Sequence, residues 1–323
     1  MRKHAYSVIM AGGIGSRFWP LSRSSKPKQF LDILNTGKTL IQETYERFKS
    51  ICPEDHIYIV TNEEYIDLVL SQLPGITLSN IIAEPIRRNT APCIAYACQK
   101  ISLKDPHANI VVSPADHYIL NSDKYLQDIN FAIDFVNRND SLVTLGIRPS
   151  RPDTGYGYIQ FTEMEGLPDS IKKVKTFTEK PTKEIAESFI KSGDFLWNSG
   201  MFVWNVQTIL RAFKDHLPEM ISLFNEDNSV YGTVKEESYI KNVYSQCSNI
   251  SIDYGIMEKA ENVFVIPSDF GWSDVGTWGS IFDIYTKDYL GNAVDGKLVQ
   301  IYDSSNNMIS VSDEKLNLYI LHL

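Results

Sequence analysis

Cysteine is scarce in this chain. Its 323 residues include four, Cys52, Cys93, Cys98 and Cys247, with no CxxC pair. That spacing argues against a zinc site or a disulfide framework. It favours buried free thiols in a reducing cytoplasm. No apolar stretch approaches the ~20 residues of a membrane span. The basic start Met1-Arg2-Lys3-His4 runs into a short apolar segment that breaks at Gly12-Gly13 and Arg17. This reads as a first strand rather than a signal peptide. Positive charge is also short. With 31 Lys and Arg against 40 Asp and Glu, the net charge is −9, which argues against a general nucleic-acid binder. Eighteen Gly and fourteen Pro are too few for a collagen-like or disordered chain. There is no internal repeat and no low-complexity linker. The remainder has an ordinary globular composition, long enough for two domains or for one large domain and an appendage.

Short apolar strands alternate with amphipathic segments through the first half. Strands are predicted over 6–10, 56–61, 81–83, 109–113 and 141–146, and helices over 40–51, 90–103 and 124–136. This βαβα rhythm predicts an α/β fold with a mostly parallel sheet flanked by helices. Longer strands are expected over 156–161 and 171–178, joined around Glu165-Gly166. Helices follow near 182–191 and 206–213, then a helical patch over 217–246 and a strand over 263–266. From Asp288 onward, short strands alternate with Asp, Asn, Ser and Gly turns. The division expected is a main domain of 1–286 and a β-rich segment of 287–323.

The first 31 residues hold six cations (Arg2, Lys3, Arg17, Arg23, Lys26, Lys28) and no carboxylate. In a chain of net charge −9 this is a local inversion of sign. It overlaps the loop Ala11-Gly12-Gly13-Ile14-Gly15-Ser16-Arg17, directly after the first strand. Glycines there let backbone N–H groups approach a phosphate, and Arg17 and Lys28 can supply charge. The plain alternative is a solvated basic turn. The pattern is not a dinucleotide fingerprint, because Phe18 stands where the third glycine belongs. It is not a P-loop either, so phosphates would be held by a different scheme.

Asp116, in Ser113-Pro114-Ala115-Asp116-His117, follows an apolar strand. Asp274, in Gly271-Trp272-Ser273-Asp274-Val275-Gly276, is a second turn carboxylate. Together with phosphate oxygens the two suit Mg²⁺, a hard cation that prefers oxygen. His117 reads as a hydrogen-bonded structural histidine. Glu179-Lys180-Pro181 ends a strand, and Trp197-Asn198-Ser199-Gly200 precedes another. Glu and Asn suit sugar hydroxyls, and Lys suits a phosphate.

Taken together, these strings resemble the sugar-1-phosphate nucleotidyltransferases. The carriers run from Val8-Ile9-Met10-Ala11-Gly12-Gly13 through Lys28, then Arg88-Asn89-Thr90-Ala91-Pro92, Pro114-Ala115-Asp116-His117, Glu179-Lys180-Pro181, Trp197-Asn198-Ser199-Gly200-Met201-Phe202, Ser251-Ile252-Asp253-Tyr254 and Gly271-Trp272-Ser273-Asp274-Val275-Gly276. They span residue 8 to about 278 in the family's order. The RNTAP, PADH and SIDY segments point to its GDP-mannose branch. Ser16 departs from the family's usual Thr but keeps a hydroxyl. The chain stops at Leu323, inside what reads as a β tail that family members often extend.

The resemblance implies the nucleotide-diphospho-sugar transferase fold, and transfer of GMP from GTP to α-D-mannose 1-phosphate with Mg²⁺. It assigns Ala11, Gly12, Gly13, Gly15, Ser16 and Arg17 to the nucleotide phosphates, and Lys28 to the departing pyrophosphate. Glu84, Asn89 and Thr90 would sit near the guanine, and Asp116 and Asp274 would share the metal. Gly157, Glu179 and Asn198 would hold the sugar, and Lys180 its phosphate. A homodimer is one assembly the resemblance allows. Another hexose 1-phosphate or nucleotide is the alternative substrate. A non-catalytic relative that binds a nucleotide sugar and a nicotinamide oxidoreductase are the rival classes.

Overall fold

The computed structural model describes residues 2–13, 15–19, 21–311 and 318–321; the side chains of Ser16 and Leu321 lie outside what is described. In chain order the elements are β1 (Ala5–Met10), α1 (Leu40–Lys49), β2 (Ile57–Asn62), α2 (Ile66–Gln72), β3 (Ile81–Glu84), α3 (Thr90–Lys104), β4 (Asn109–Pro114), β5 (Tyr118–Ile119), α4 (Ser122–Val136) and β6 (Leu142–Ile147). There follow β7 (Tyr158–Thr162), β8 (Lys172–Thr178), α5 (Lys183–Ser192), β9 (Phe195–Asn205), α6 (Val206–His216), α7 (Pro218–Asn225), α8 (Glu236–Gln246), β10 (Val263–Ser268), β11 (Trp272–Ser273) and α9 (Trp278–Ile284). Four short strands close the chain: β12 (Ala293–Asp295), β13 (Val299–Tyr302), β14 (Met308–Ser310) and β15 (Leu318–Leu321).

The central sheet has nine strands in the order β3-β2-β1-β4-β9-β6-β10-β8-β7. Strands β3, β2, β1 and β4 are parallel, as are β6 and β10. Only β8 and β9 run against the others in this sheet. The strand β7 also pairs back onto β9, so β9, β6, β10, β8 and β7 close into a ring around Ile159, Leu196 and Val265. Near-continuous burial of β1, β2, β4 and β6 matches a sheet covered on both faces. One face carries α1, α2 and α4 through residues such as Phe48, Val69 and Ile129. The other carries α3, α6, α7 and α8 through Ile94, Phe213, Phe224 and Tyr244.

Register decides where chemistry can gather. Met10 aligns with Val60 and Pro114, and Asn62 with Glu84. The parallel strands therefore end at one edge, where open α/β sheets bind ligands. Antiparallel β9 brings Asn198 beside Gly146 at that edge.

This corrects one expectation. Trp197-Asn198-Ser199-Gly200 does not precede a strand but lies inside β9. Turn-forming residues are tolerated there because their polar atoms are satisfied. Ser199 Oγ donates to Leu145 O at 2.6 Å, and Asn198 Oδ1 accepts from Gly200 N–H at 3.1 Å. The 217–246 patch divides into α7 and α8 with a short turn between them.

In the C-terminal segment β12 pairs with β14 and β13 with β15, both parallel. Buried Asn292 ties its turns together, donating to Asp288 Oδ2 and Ser304 O and accepting from Asn307 N–H, each at 3.0 Å. Met308 packs against the cluster of Phe18, Leu31, Val275 and Ile281. The appendage thereby leans on the root of the cationic loop. Among the described residues no helix is long and apolar enough to cross a membrane. All four cysteines are buried and free.

Candidate active site

The loop after β1 is shaped by its carbonyls. Gln29, 2% exposed, donates from Nε2 to Ala11 O at 2.8 Å and Gly13 O at 2.9 Å. Thr61 Oγ1 also donates to Ala11 O, and Ser22 Oγ to Gly15 O. With the carbonyls turned inward, the N–H groups of Gly12 and Gly13 meet no acceptor among the described residues. Gly15 has φ 62°, and a Cβ there would collide with Lys28, whose backbone nitrogen would lie at 3.0 Å. Only glycine meets both demands. Arg17 is exposed and makes no ion pair among the described residues. A pair of unpartnered N–H groups beside a free guanidinium is an anion-binding arrangement. Ser16 belongs to the same turn, but its side chain lies outside what is described.

Lys28 is unlike Arg17. It starts a buried single turn of 3-10 helix and is 4% exposed. Its Nζ donates to Asp274 O at 2.6 Å and Val275 O at 2.8 Å, and pairs with Asp116 Oδ2 at 3.0 Å. Two carboxylate-bearing turns far apart in sequence thus meet on one ammonium. The Asp274 carboxylate accepts from Tyr156 Oη and Gly276 N–H, both at 2.9 Å. Burial pushes the Asp116 carboxyl upward, but Lys28 and His117 outweigh it and hold the group below the usual carboxylate range. His117 is pushed down to about 4, chiefly by burial, and is neutral at pH 7. Its Nδ1 accepts from Trp272 Nε1 at 3.2 Å, as a structural histidine would.

A cavity of about 280 Å³ opens beside the loop, walled by Gly12, Gly13, Glu84, Arg88, Asn89 and Thr90 among others. Glu84 ends β3 and is 6% exposed. Burial pushes its carboxyl up to about 7, against the opposing effects of a Tyr244 hydrogen bond and Arg87. Asn89 Oδ1 caps α3 by accepting from Thr90 N–H at 2.9 Å. Thr90 Oγ1 accepts from Ile252 N–H at 2.9 Å. Both residues line the cavity while spending one oxygen each on the fold.

The third cluster gathers Gly157, Glu179, Lys180 and Asn198. Asn198 N–H donates to Gly157 O at 2.8 Å, and a Cβ on Gly157 would lie 2.5 Å from Glu179 Oε2. Lys180 Nζ lies 2.8 Å from Glu179 Oε1. The sequence reading missed a fifth member, Asp253, which accepts from Asn198 Nδ2 at 2.7 Å. It opens a single π-helical turn, a form frequent at functional sites. Burial, then Glu179, raises its carboxyl, and Glu258 is raised by burial and by both neighbours. Asp253 lies in the SIDY string, so a signal existed, but no role attached to it. Gln29 adjoins Lys28 and could have been noticed. Nothing in the sequence points to Tyr244.

Asn89, Lys180 and Val275 are non-glycine residues at φ 67°, 44° and 44°. Such backbone costs on the order of 1–3 kcal/mol and persists where the surroundings demand it. One lies in each of the three clusters.

The profile of the family described as nucleotidyl transferase matches residues 6–289. The chain is 36% identical over 317 residues to a mannose-1-phosphate guanylyltransferase of Escherichia coli, covering 94% of this chain and 66% of that protein. It is 37% identical over 308 residues to the alginate biosynthesis protein AlgA of Pseudomonas syringae pv. tomato, covering 94% and 62%. It spans somewhat less than two thirds of the length of these relatives. Among solved structures, a mannose-1-phosphate geranyltransferase from Thermus thermophilus superposes with a TM-score of 0.83 at 30% identity. That match covers 98% of this chain and 90% of that one.

Proposed function

The chain belongs to the nucleotidyl transferase family, and from that premise we propose that it transfers GMP from GTP to α-D-mannose 1-phosphate, releasing pyrophosphate. The observation that carries this reading is the adjacency of two features. The N–H groups of Gly12 and Gly13 have no acceptor among the described residues, and they border a base-sized cavity walled by the Glu84 carboxylate. Guanine offers N1–H and N2–H₂ as adjacent donors, and a carboxylate accepts both. Similarity to a guanylyltransferase acting on mannose 1-phosphate supports the choice of substrates.

A sugar phosphate is already an anionic nucleophile, so no strong base is needed. A phosphate oxygen attacks the α-phosphorus in line, and the bond to the β-phosphate oxygen breaks. Positioning and charge stabilisation dominate such a step. Ala11, Gly12, Gly13, Gly15, Ser16 and Arg17 receive the triphosphate. Lys28 trades the Asp116 carboxylate for a pyrophosphate oxygen as charge develops there. Gly157, Glu179 and Asn198 hold the hexose, and Lys180 its phosphate.

Asp116 and Asp274 fit Mg²⁺. Both are hard oxygen donors, Asp116 is held ionised, and Lys28 brings their turns together. Bound there, the ion would neutralise phosphate charge.

The proposal includes a cytoplasmic setting and no nucleic-acid or membrane partner. It keeps the division into 1–286 and 287–323, supported by the separate small sheets of the second segment. It also includes a homodimer, supported by exposed Leu298, Tyr302 and Tyr319 on that appendage. Pyrophosphate release from each of the four nucleoside triphosphates, with a panel of hexose 1-phosphates, tests the function. GTP with mannose 1-phosphate should lead the panel, and preference for another pair overturns the reading.

A further inference from the structure

Glu84 does not stand alone in the base cavity. Behind it, outside the cavity lining, lies the fully buried ring of Tyr244 from α8. Its hydroxyl donates to Glu84 Oε1 at 3.2 Å. The ring is fixed edge-on against Tyr96 and Phe224, with centroids 6.5 and 6.1 Å away. Its backbone is tied to the same wall, because Arg88 Nε donates to Tyr244 O at 3.3 Å. The second carboxylate oxygen faces the phosphate loop, where a Cβ on Gly12 would stand 3.3 Å from it. One oxygen is therefore anchored from behind while the other looks forward.

We propose that Tyr244 is a positioning residue for base selection, anchoring Glu84 in the orientation and charge state that accept two parallel donors from guanine. This rests on the guanine reading above. A free buried carboxyl can rotate, and it can take up a proton. Once protonated it presents an O–H where guanine presents N2–H₂, so it rejects the base it should select. The groups facing Glu84 are Tyr244 from α8, Arg87 from the turn after β3, and Cys93 from α3. Tyr244 and Arg87 favour the charged form, against burial. The tyrosine hydroxyl is itself held far above its ordinary range, first by burial and then by Glu84. It remains a donor at every working pH.

The test is Tyr244→Phe, which keeps the ring and removes the donor. The ratio of kcat/KM for GTP over ITP is read from about pH 6 to about pH 9 at saturating mannose 1-phosphate. ITP carries the same triphosphate, so the triphosphate's own titration cancels in the ratio. It lacks only the 2-amino group. Equilibrium binding of GTP and ITP gives the corresponding ratio of affinities without any sugar phosphate, so the test does not depend on turnover. Circular dichroism checks the fold.

In the unmutated protein the binding ratio should favour GTP and rise with pH through about 7. In Tyr244→Phe it should fall ~3- to 10-fold near neutrality, the loss of one hydrogen bond. It should recover toward the unmutated value at about pH 9, with its acid limb moved upward. In Glu84→Gln the ratio should be low and flat with pH, and adding Tyr244→Phe should not change it. A Tyr244→Phe limb that coincides with the unmutated one overturns the inference. So does a loss of ratio that is equal at every pH, since lost packing alone would produce it. Failure of the functional reading looks different: the unmutated protein would release no pyrophosphate from GTP and mannose 1-phosphate, whatever its binding ratios.

Discussion

The two ends of the proposed site present opposite chemistry. At the nucleotide end the chain offers backbone N–H groups, the exposed Arg17 and the satisfied Lys28. At the proposed sugar end it offers crowded oxygens, with Glu179 and Asp253 around Asn198, and Glu258 and Lys180 close enough to feel them. A triphosphate brings its own charge and needs donors. A hexose brings hydroxyls and needs acceptors at fixed places. The polyanion end can therefore be built from a contiguous loop, because N–H groups come with the backbone. The proposed sugar end needs side chains drawn from the turn after β8, from β9 and from the π-turn at Asp253.

The largest effect should come from the metal proposed for Asp116 and Asp274. Excess EDTA should abolish pyrophosphate release, and Asp116→Asn and Asp274→Asn should each lower activity and the response to Mg²⁺ while circular dichroism stays unchanged. Full turnover in EDTA would remove the two-carboxylate metal site.

Next comes the cation assignment within the loop. Lys28→Ala should lower turnover by about two to four orders of magnitude, as loss of a preorganised transition-state charge does. Lys26→Ala should matter much less. Equal, small effects would erase the distinction drawn between buried Lys28 and the exposed loop cations.

Gly157→Ala sharpens the contrast between the ends. Its Cβ would meet Glu179 Oε2 at 2.5 Å, so the carboxylate must move. KM for mannose 1-phosphate should rise by about ten- to hundredfold, with GTP binding unchanged. A comparable loss in GTP affinity would mean that the ends are not separable.

The smallest effect is on stability. Glu84 ordinarily titrates near 4.5 and is raised to about 7 in the fold. Between those values the folded state keeps a proton that the unfolded chain has lost, so stability falls as pH rises through the window. Glu84→Gln removes this penalty, which is at most about 3 kcal/mol. Its melting temperature relative to the unmutated protein should climb from about pH 4.5 to about pH 7 and then level off. A constant difference across that range would show that burial does not perturb Glu84 in this way.

Much of the proposed nucleotide end was legible in the residues. Alternating apolar segments announce β1 and β4 because a doubly covered parallel strand must be apolar on both faces. The Gly-rich cationic loop and Asp116 follow those strands directly, so local order alone placed them at one sheet edge. The interior of β9 was not legible. Asn198-Ser199-Gly200 has turn chemistry, and only partners such as Leu145 O reveal why a strand passes through it.

Residue order was enough for the α/β class, the Gly-rich cationic loop and the family's strings in order, because each depends on neighbours in the chain. Folding in three dimensions was needed before Lys28 could meet Asp274 O across 246 residues and Tyr244 could meet Glu84 across 160. It was needed too for Asp253 to complete the cluster at Asn198. The physical reason is that a loop's N–H groups are aimed by contiguous φ and ψ. A carboxylate's charge state and direction are set by whatever surrounds it, and here those surroundings come from distant elements packed on the two faces of one sheet.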